Sequence, residues 1–252
     1  MLKIRIMPTL LYKDYGLVKG VGFDSWRRTG SAMQQIKVYN MREVDELVFL
    51  DIFANTEGRQ PDYALIDDLA DDCFMPMTVG GGIRTLDHAR RVLQVGADKV
   101  AINTGAVENV GLITEIAERF GSQCVVVSID YRQHSDGRRE VFTHSGTRPS
   151  GLEAISFAVE AERRGAGEIL LTSIERDGTF GGYDLKGLRA VTSAVSIPVI
   201  ASGGAGDYEH MRQAIVEGGA SAVAAASIFH FTEQTPLEAK RYLHKLGVAV
   251  RL

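Results

Sequence analysis

Pro76-Met77-Thr78-Val79-Gly80-Gly81-Gly82 returns 122 residues later as Pro198-Val199-Ile200-Ala201-Ser202-Gly203-Gly204. Each copy is a short β-rich run that opens after a proline and closes on paired glycines, the pattern of a strand running into a tight turn. Two more stretches repeat at nearly the same spacing. Glu46-Leu47-Val48-Phe49-Leu50 matches Glu168-Ile169-Leu170-Leu171-Thr172 at 122 residues, and Gly96-Ala97-Asp98-Lys99-Val100 matches Gly219-Ala220-Ser221-Ala222-Val223 at 123. Three matches at nearly one offset divide the chain into two homologous halves, where chance likeness among glycine loops would scatter the spacing.

Further β-rich runs extend the series: Lys3–Leu11, Glu46–Phe53, Met77–Val79, Lys99–Asn103, Val125–Asp130, Glu168–Ser173, Val199–Ala201 and Ala222–Ala225. Between them lie segments with helical apolar spacing, such as Leu86–Val95, Val110–Phe120, Leu152–Arg164, Leu185–Ala194 and Tyr208–Glu217. Strands that alternate with helices call for a parallel sheet. In 252 residues that sheet is expected to close as an α/β (β/α)8 TIM barrel, one domain over 1–252, built from two half-barrels. A doubly wound sheet would carry a glycine-rich turn after its first strand, and Tyr12-Lys13-Asp14 supplies none.

Composition narrows the function. Apolar residues make up 45% and charged residues 24%, and the net charge of −4 gives no basis for a nucleic-acid partner. No run approaches the roughly 18 apolar residues of a membrane span, and Met1-Leu2-Lys3-Ile4-Arg5 leads straight into strand-like residues, so neither a membrane anchor nor a secretory leader is expected. Cys73 and Cys124 sit in apolar, strand-like stretches without zinc spacing. A reduced, cytoplasmic setting follows. No His, Cys and carboxylate cluster has ligand spacing, so no metal and no organic cofactor is expected.

In a barrel the chemistry gathers at the C-terminal ends of the strands. Gly203-Gly204 would follow strand seven and Ala226-Ser227 strand eight. The repeat puts Gly81-Gly82 after strand three and Asn103-Thr104 after strand four. Glycine lets backbone N–H groups approach an anion, and Ser227 and Thr104 add hydroxyl donors. The residues suit either two phosphate cradles facing each other across one mouth or plain tight turns.

These stretches resemble the cyclase (HisF) subunit of imidazole glycerol phosphate synthase over essentially the whole chain. The likeness is carried by Asp45-Glu46-Leu47-Val48-Phe49-Leu50-Asp51-Ile52, Thr78-Val79-Gly80-Gly81-Gly82-Ile83, Arg164-Gly165-Ala166-Gly167-Glu168-Ile169-Leu170-Leu171-Thr172, Arg176-Asp177-Gly178-Thr179 and Ile200-Ala201-Ser202-Gly203-Gly204-Ala205-Gly206. The resemblance implies a glutaminase partner on the N-terminal face of the barrel. Its ammonia would cross the interior and attack a ribulosyl phosphate, giving imidazole glycerol phosphate and an aminoimidazole carboxamide ribotide. It implies ligand contacts at Lys19, Asp51, Gly82, Asn103, Thr104, Thr172, Asp177, Gly203, Gly204, Ala226 and Ser227. It also implies an acid/base pair of aspartates at the ends of strands one and five.

Only one of that pair is present. Strand five ends on Asp130, whereas strand one places Leu11 at the matching position. Ring closure needs a proton delivered and another removed, which two carboxylates with separated pKa values do and a leucine cannot. Asp14 offers a substitute from the following loop. Between Val21 and Ala32, Trp26 and Arg28 add bulk and charge to the loop that in the family closes over the substrate. Such a loop is either a solvated basic surface or part of the site.

Side chains of equal parity share a face of a strand. Arg5 therefore points with Leu11, Lys99 with Asn103 and Glu168 with Thr172, while Glu46 repeats Glu168. Two cations and two anions would meet at the opposite end of the interior from the mouth. On charge alone this reads as a salt-bridge cluster sealing the floor. The resemblance makes Arg5, Glu46, Lys99 and Glu168 an ammonia gate and Asp98 a contact of the glutaminase.

The opening Met7-Pro8-Thr9-Leu10-Leu11 looks most like cyclase-like paralogues associated with acetamidino-sugar formation in surface-polysaccharide synthesis. The expected activity is thus ammonia channelling in a glutamine amidotransferase complex, with a sugar amidotransferase as a further partner. The alternatives are a working cyclase of histidine biosynthesis that tolerates Leu11, and a non-enzymatic scaffold that binds a phosphorylated ligand and activates the glutaminase.

Overall fold

A computed structural model describes residues 3–14 and 16–252. Met1 and Leu2, where the absence of a leader was read, lie outside the described residues. The first half contains β1 (Arg5–Lys13), β2 (Gly16–Val21), β3 (Asp24–Gly30), α1 (Ala32–Met41), β4 (Leu47–Asp51), α2 (Tyr63–Asp71), β5 (Met77–Gly80), α3 (Leu86–Gln94), β6 (Lys99–Ile102), α4 (Thr104–Glu108) and α5 (Gly111–Phe120). The second half contains β7 (Val125–Gln133), β8 (Arg139–Thr143), β9 (Arg148–Glu153), α6 (Ala154–Arg163), β10 (Glu168–Ser173), α7 (Leu185–Thr192), β11 (Val199–Ser202), α8 (Tyr208–Val216), β12 (Ala222–Ala225), α9 (Ser227–Phe231) and α10 (Pro236–Lys245).

Eight of the strands are parallel and close in the order β1-β4-β5-β6-β7-β10-β11-β12, with β12 pairing back onto β1. This is the (β/α)8 barrel that the alternation predicts. The halves repeat in detail: α1, α2 and α3 start at Ala32, Tyr63 and Leu86, and their counterparts start at Ala154, Leu185 and Tyr208, 122 residues on each time. The caps repeat as well. Asp62 and Asp184 accept backbone N–H bonds at the starts of α2 and α7, and Thr85 and Asp207 do so for α3 and α8. Each such cap stabilises its helix by about 1 kcal/mol.

Two features differ from the sequence reading. The segments after β1 and β7 are antiparallel hairpins, β2–β3 and β8–β9, that extend the sheet above the barrel. The cysteines are also not in strands: Cys73 follows α2 and Cys124 ends a short 3-10 turn.

Pro8 stands inside β1, where a missing N–H would normally break a central ladder. It sits at the changeover of partners, since Arg5–Pro8 pair with β12 and Thr9–Tyr12 pair with β4.

The apolar interior has two compartments. One lies between the sheet and the helices and holds Ile6, Leu10, Phe49, Val127 and Ile169. The other fills the barrel with Met7, Val48, Ala101, Val126, Leu170, Ile200, Ala222 and Ala224. Alternate residues of one strand enter different compartments, as the pleat requires. Among the described residues no helix is long and apolar enough to cross a membrane.

Candidate functional site

The floor of the barrel is built where the strands begin. Arg5 opens β1, Lys99 opens β6, Glu168 opens β10 and Glu46 immediately precedes β4. The Arg5 guanidinium donates to Glu46 at 2.6 Å and to Glu168 at 3.0 Å. The Lys99 ammonium donates to the same two carboxylates at 2.7 and 3.0 Å. Each charge thus touches both charges of opposite sign, which closes a neutral ring. Burial alone would lower the Arg5 pKa, but Glu168 and Glu46 together hold it above its ordinary value. Thr78 on β5 donates a further bond to Glu46 at 3.0 Å. Asp98 lies outside the ring on the exposed face, where it accepts the backbone N–H of Met77 at 2.8 Å.

Behind this ring the loop before β4 is locked. Asp45 accepts the Ile6 backbone N–H at 3.0 Å and pairs with the buried ammonium of Lys240 on α10 at 3.1 Å. Ile6 and Asp45 are chain neighbours of Arg5 and Glu46, so this clasp fixes two members of the ring.

Two residues further along the strands the interior turns apolar. Met7, Val48, Val126 and Ile200 are each at most 1% exposed. Beyond them a cavity opens at the C-terminal ends of the strands, about 1100 Å³ in volume including its mouth. Leu11 on β1 and Asp130 on β7 both face it. These strands stand four places apart in an eight-strand ring, on opposite walls. Asp14 does not line the cavity; it sits at the turn after β1 with an exposed side chain. Among the described residues, the acids of the cavity wall are Asp51, Asp130 and Asp177.

The three acids are held differently. Asp51 accepts the backbone N–H groups of Phe53 and Ala54 and pairs with Arg59 at 3.1 Å, which ties the loop after β4. Asp177 pairs with Lys19, whose ammonium is buried beneath the β2–β3 hairpin. Asp130 has no cationic partner among the groups that shift it. Burial pushes its carboxyl up to about 7, the charge of Asp177 adds to the rise, and hydrogen bonds from Thr172 and Ser128 oppose it. A carboxyl with this pKa exchanges protons near neutrality, as a general acid or base must.

The two glycine turns face each other across the cavity. Gly203 and Gly204 have φ of +85° and +113°, and a Cβ on Gly204 would lie 2.2 Å from the Gly182 carbonyl oxygen. Backbone crowding alone therefore demands glycine here, whatever the turn binds. On the first-half side the cavity wall is formed by Gly81, while Gly82 lies behind it against the Arg59 carbonyl. Of the two, only Gly81 lines the cavity. Asn103 donates to the carbonyls of Ser128 and Phe142, both at 3.1 Å, and Thr104 accepts the His144 backbone N–H at 3.2 Å. Lys19, Asp51, Asn103, Thr104, Thr172, Asp177, Gly203, Gly204, Ala226 and Ser227 all line the cavity with Asp130.

Strand parity alone would have added Thr9 and Ser202, which line the same wall. Ser145 had no local signal. It arrives through the β8–β9 turn, where His144 and Ser145 take left-handed φ values of 52° and 57°. Trp26 and Phe23 also line the cavity, so the β2–β3 hairpin forms its roof. The roof is anchored on the second half by Lys19–Asp177 and by a bond from the Gly22 N–H to the Asp177 carbonyl at 2.9 Å. His230 is not a mouth residue: its ring bonds the Thr9 carbonyl, and burial lowers its pKa.

Among the described residues no group of three His, Cys, Asp or Glu side chains could hold a metal ion. The arrangement places the raised carboxyl of Asp130 between two glycine turns, above a packed apolar layer and a neutral ionic floor. A family model described as histidine biosynthesis protein matches residues 5–235. That match runs from the floor residue on β1 to the start of the last helix, so this chain belongs to the histidine biosynthesis family of isomerase- and cyclase-type barrels.

Proposed function

We propose that the barrel is the synthase-side subunit of a glutamine amidotransferase complex. A glutaminase docks at the floor, and ammonia passes along the interior to the mouth, for acetamidino modification of a surface-polysaccharide sugar. In this reading the cyclisation of a ribulosyl phosphate has been given up. The supporting observation is a combination: the four-charge floor is complete, yet Leu11 faces Asp130 across the cavity with no acid from β1 beside it. Asp51 and Asp177 do not replace the missing group, since each is engaged by a cation. Neutral ammonia crosses the apolar layer of Met7, Val48, Val126 and Ile200 far more readily than ammonium does, because burying an unpaired charge is costly.

A working cyclase is the second reading, favoured by the raised pKa of Asp130. The two are separated by incubating the purified barrel with an ammonium salt and the ribulosyl phosphate substrate. Product formation at background level is expected. Turnover at the rate of a competent cyclase would overturn the proposal. The channelling half is tested on the barrel–glutaminase complex supplied with the sugar amidotransferase and its acceptor sugar, where Lys99→Ala should change the ratio of glutamine-dependent to ammonia-dependent acetamidino formation. An unchanged ratio would remove the gate.

A further inference from the structure

The rim of the mouth carries apolar side chains that the barrel does not cover. Val21 closes β2, Phe180 lies in the loop between β10 and α7, and Phe231 ends α9; they are 53%, 37% and 50% exposed. Their backbone segments form one continuous arc. A Cβ on Gly178 would lie 3.0 Å from the Val21 Cα, and one on Gly206 would lie 2.1 Å from the Phe180 carbonyl oxygen. The Gln234 side chain, three residues past Phe231, donates to the Gly206 carbonyl at 3.2 Å. Gly178, Ala205 and Ser227, from the same segments, line the cavity itself. Single apolar side chains are ordinary on a surface, whereas a contiguous group beside a cavity marks a contact area.

Phe180 is held there against its backbone preference. Its φ is +59°, in the left-handed region, between Gly178 at +74° and Gly182 at +85°. Glycine takes that conformation freely and a bulky side chain does not. This loop fills two of its left-handed positions with glycine yet keeps phenylalanine at the third, with the ring partly in solvent. Backbone strain of this kind persists at sites with a task. The chemistry of delivery says what covers the arc. Under the channelling reading, on which this inference rests, nitrogen leaves the mouth as neutral ammonia, because its lone pair is the nucleophile. Released into water near neutrality, it takes a proton and loses that lone pair. The acceptor must therefore be held directly over the cavity, by an enzyme sealed against the rim. We propose that Val21, Phe180 and Phe231 form the docking surface for the sugar amidotransferase that consumes the ammonia, with the two aromatic rings as its anchors.

The test uses the complete chain with its glutaminase bound, mixed with the purified sugar amidotransferase and followed by sedimentation velocity. A saturable association is expected, weakened at least about tenfold by Phe180→Asn combined with Phe231→Ser. Asparagine is chosen because it tolerates left-handed φ. Val216→Ser, at the far end of α8 from the mouth, removes a comparably exposed apolar side chain and should leave the association as it is. Undiminished association in the double variant, equal weakening by Val216→Ser, or no association at all overturns the docking surface. So does dimerisation of the barrel alone that Phe180→Asn abolishes, because a second copy would then be the occupant. Should the double variant fail to fold, Val21→Ser and Phe231→Ser decide the matter singly. An isotope arm keeps the two readings apart: glutamine labelled with heavy nitrogen in its amide is supplied against excess unlabelled ammonium, and label in the acetamidino product reports direct delivery. The double variant should dilute the label to the level of the pool, and retained label there overturns the docking surface while channelling stands. Label diluted in the parent, with association still lost in the double variant, refutes channelling and leaves the docking surface standing.

Discussion

Replacing Lys99 by methionine tests how the floor is held together. Lys99 contributes one of two cations to a ring in which each carboxylate is shared, with contacts of 2.7 Å to Glu46 and 3.0 Å to Glu168. After Lys99→Met, Arg5 faces two carboxylates alone. Removing one partner of a fully buried ion pair costs about 3–5 kcal/mol. The Lys99 and Arg5 side chains retain 16% and 23% exposure, so water screens part of the imbalance. The loss should therefore be about 2–3 kcal/mol, or roughly 5–10 °C in melting temperature for a domain of this size. Urea unfolding at neutral pH, followed by circular dichroism, reads it directly. The double variant Lys99→Met/Glu168→Gln restores the balance of one cation to one anion and should recover at least about 1 kcal/mol of the loss. A single-variant loss below about 0.5 kcal/mol, or strict additivity in the double variant, would refute the idea of a mutually neutralising ring.

Asp130 should make stability depend on pH. Its folded carboxyl titrates at about 7 against an ordinary 3.8, so between those values the folded state holds a proton that the unfolded state has released. Stability is lost as pH rises through this window, and Asp130→Asn should exceed the parent chain at pH 8 by about 2 kcal/mol after allowance for solvent at the mouth, with the gap closing near pH 4; carboxyl NMR titration checks the midpoint. Leu11→Asp puts an acid opposite Asp130 and should raise ammonia-dependent cyclisation from background to a measurable rate, read by product absorbance. Gly204→Ala should destabilise by more than about 2 kcal/mol, because its Cβ would meet the Gly182 carbonyl oxygen at 2.2 Å, whereas Gly58→Ala, also left-handed at φ +68° but open to solvent, should cost no more than about 1 kcal/mol; paired melting curves compare the two.

Much of the barrel was legible because its signals are local and repeated. Strand runs bounded by glycine and proline, and the 122-residue offset, reflect backbone geometry that each half must satisfy on its own. Parity sufficed to bring Arg5, Lys99 and Glu168 to one end of the interior and Leu11, Asn103 and Thr172 to the other. The hairpins were not legible. β3, Asp-Ser-Trp-Arg-Arg-Thr-Gly, is almost wholly solvent-facing and carries no apolar alternation. Its pairing is fixed by β2 and by the buried Lys19, whose partner lies 158 residues away. The position of Gly81 ahead of Gly82 on the cavity wall depends on backbone crowding in the loop after β4, which no local pattern encodes. The elevated titration of Asp130 likewise needs the tertiary enclosure.

The vertical ordering of the interior separates the part of the protein that must hold its shape from the part that can change its trade. The ionic ring and the Asp45 clasp lie below Met7, while position 11 stands two storeys higher, where an aliphatic side chain adds packing and disturbs neither. The side chain at one half's rim can therefore be exchanged while the base and the opposite half stay intact, so the upper storey varies without unseating the lower one.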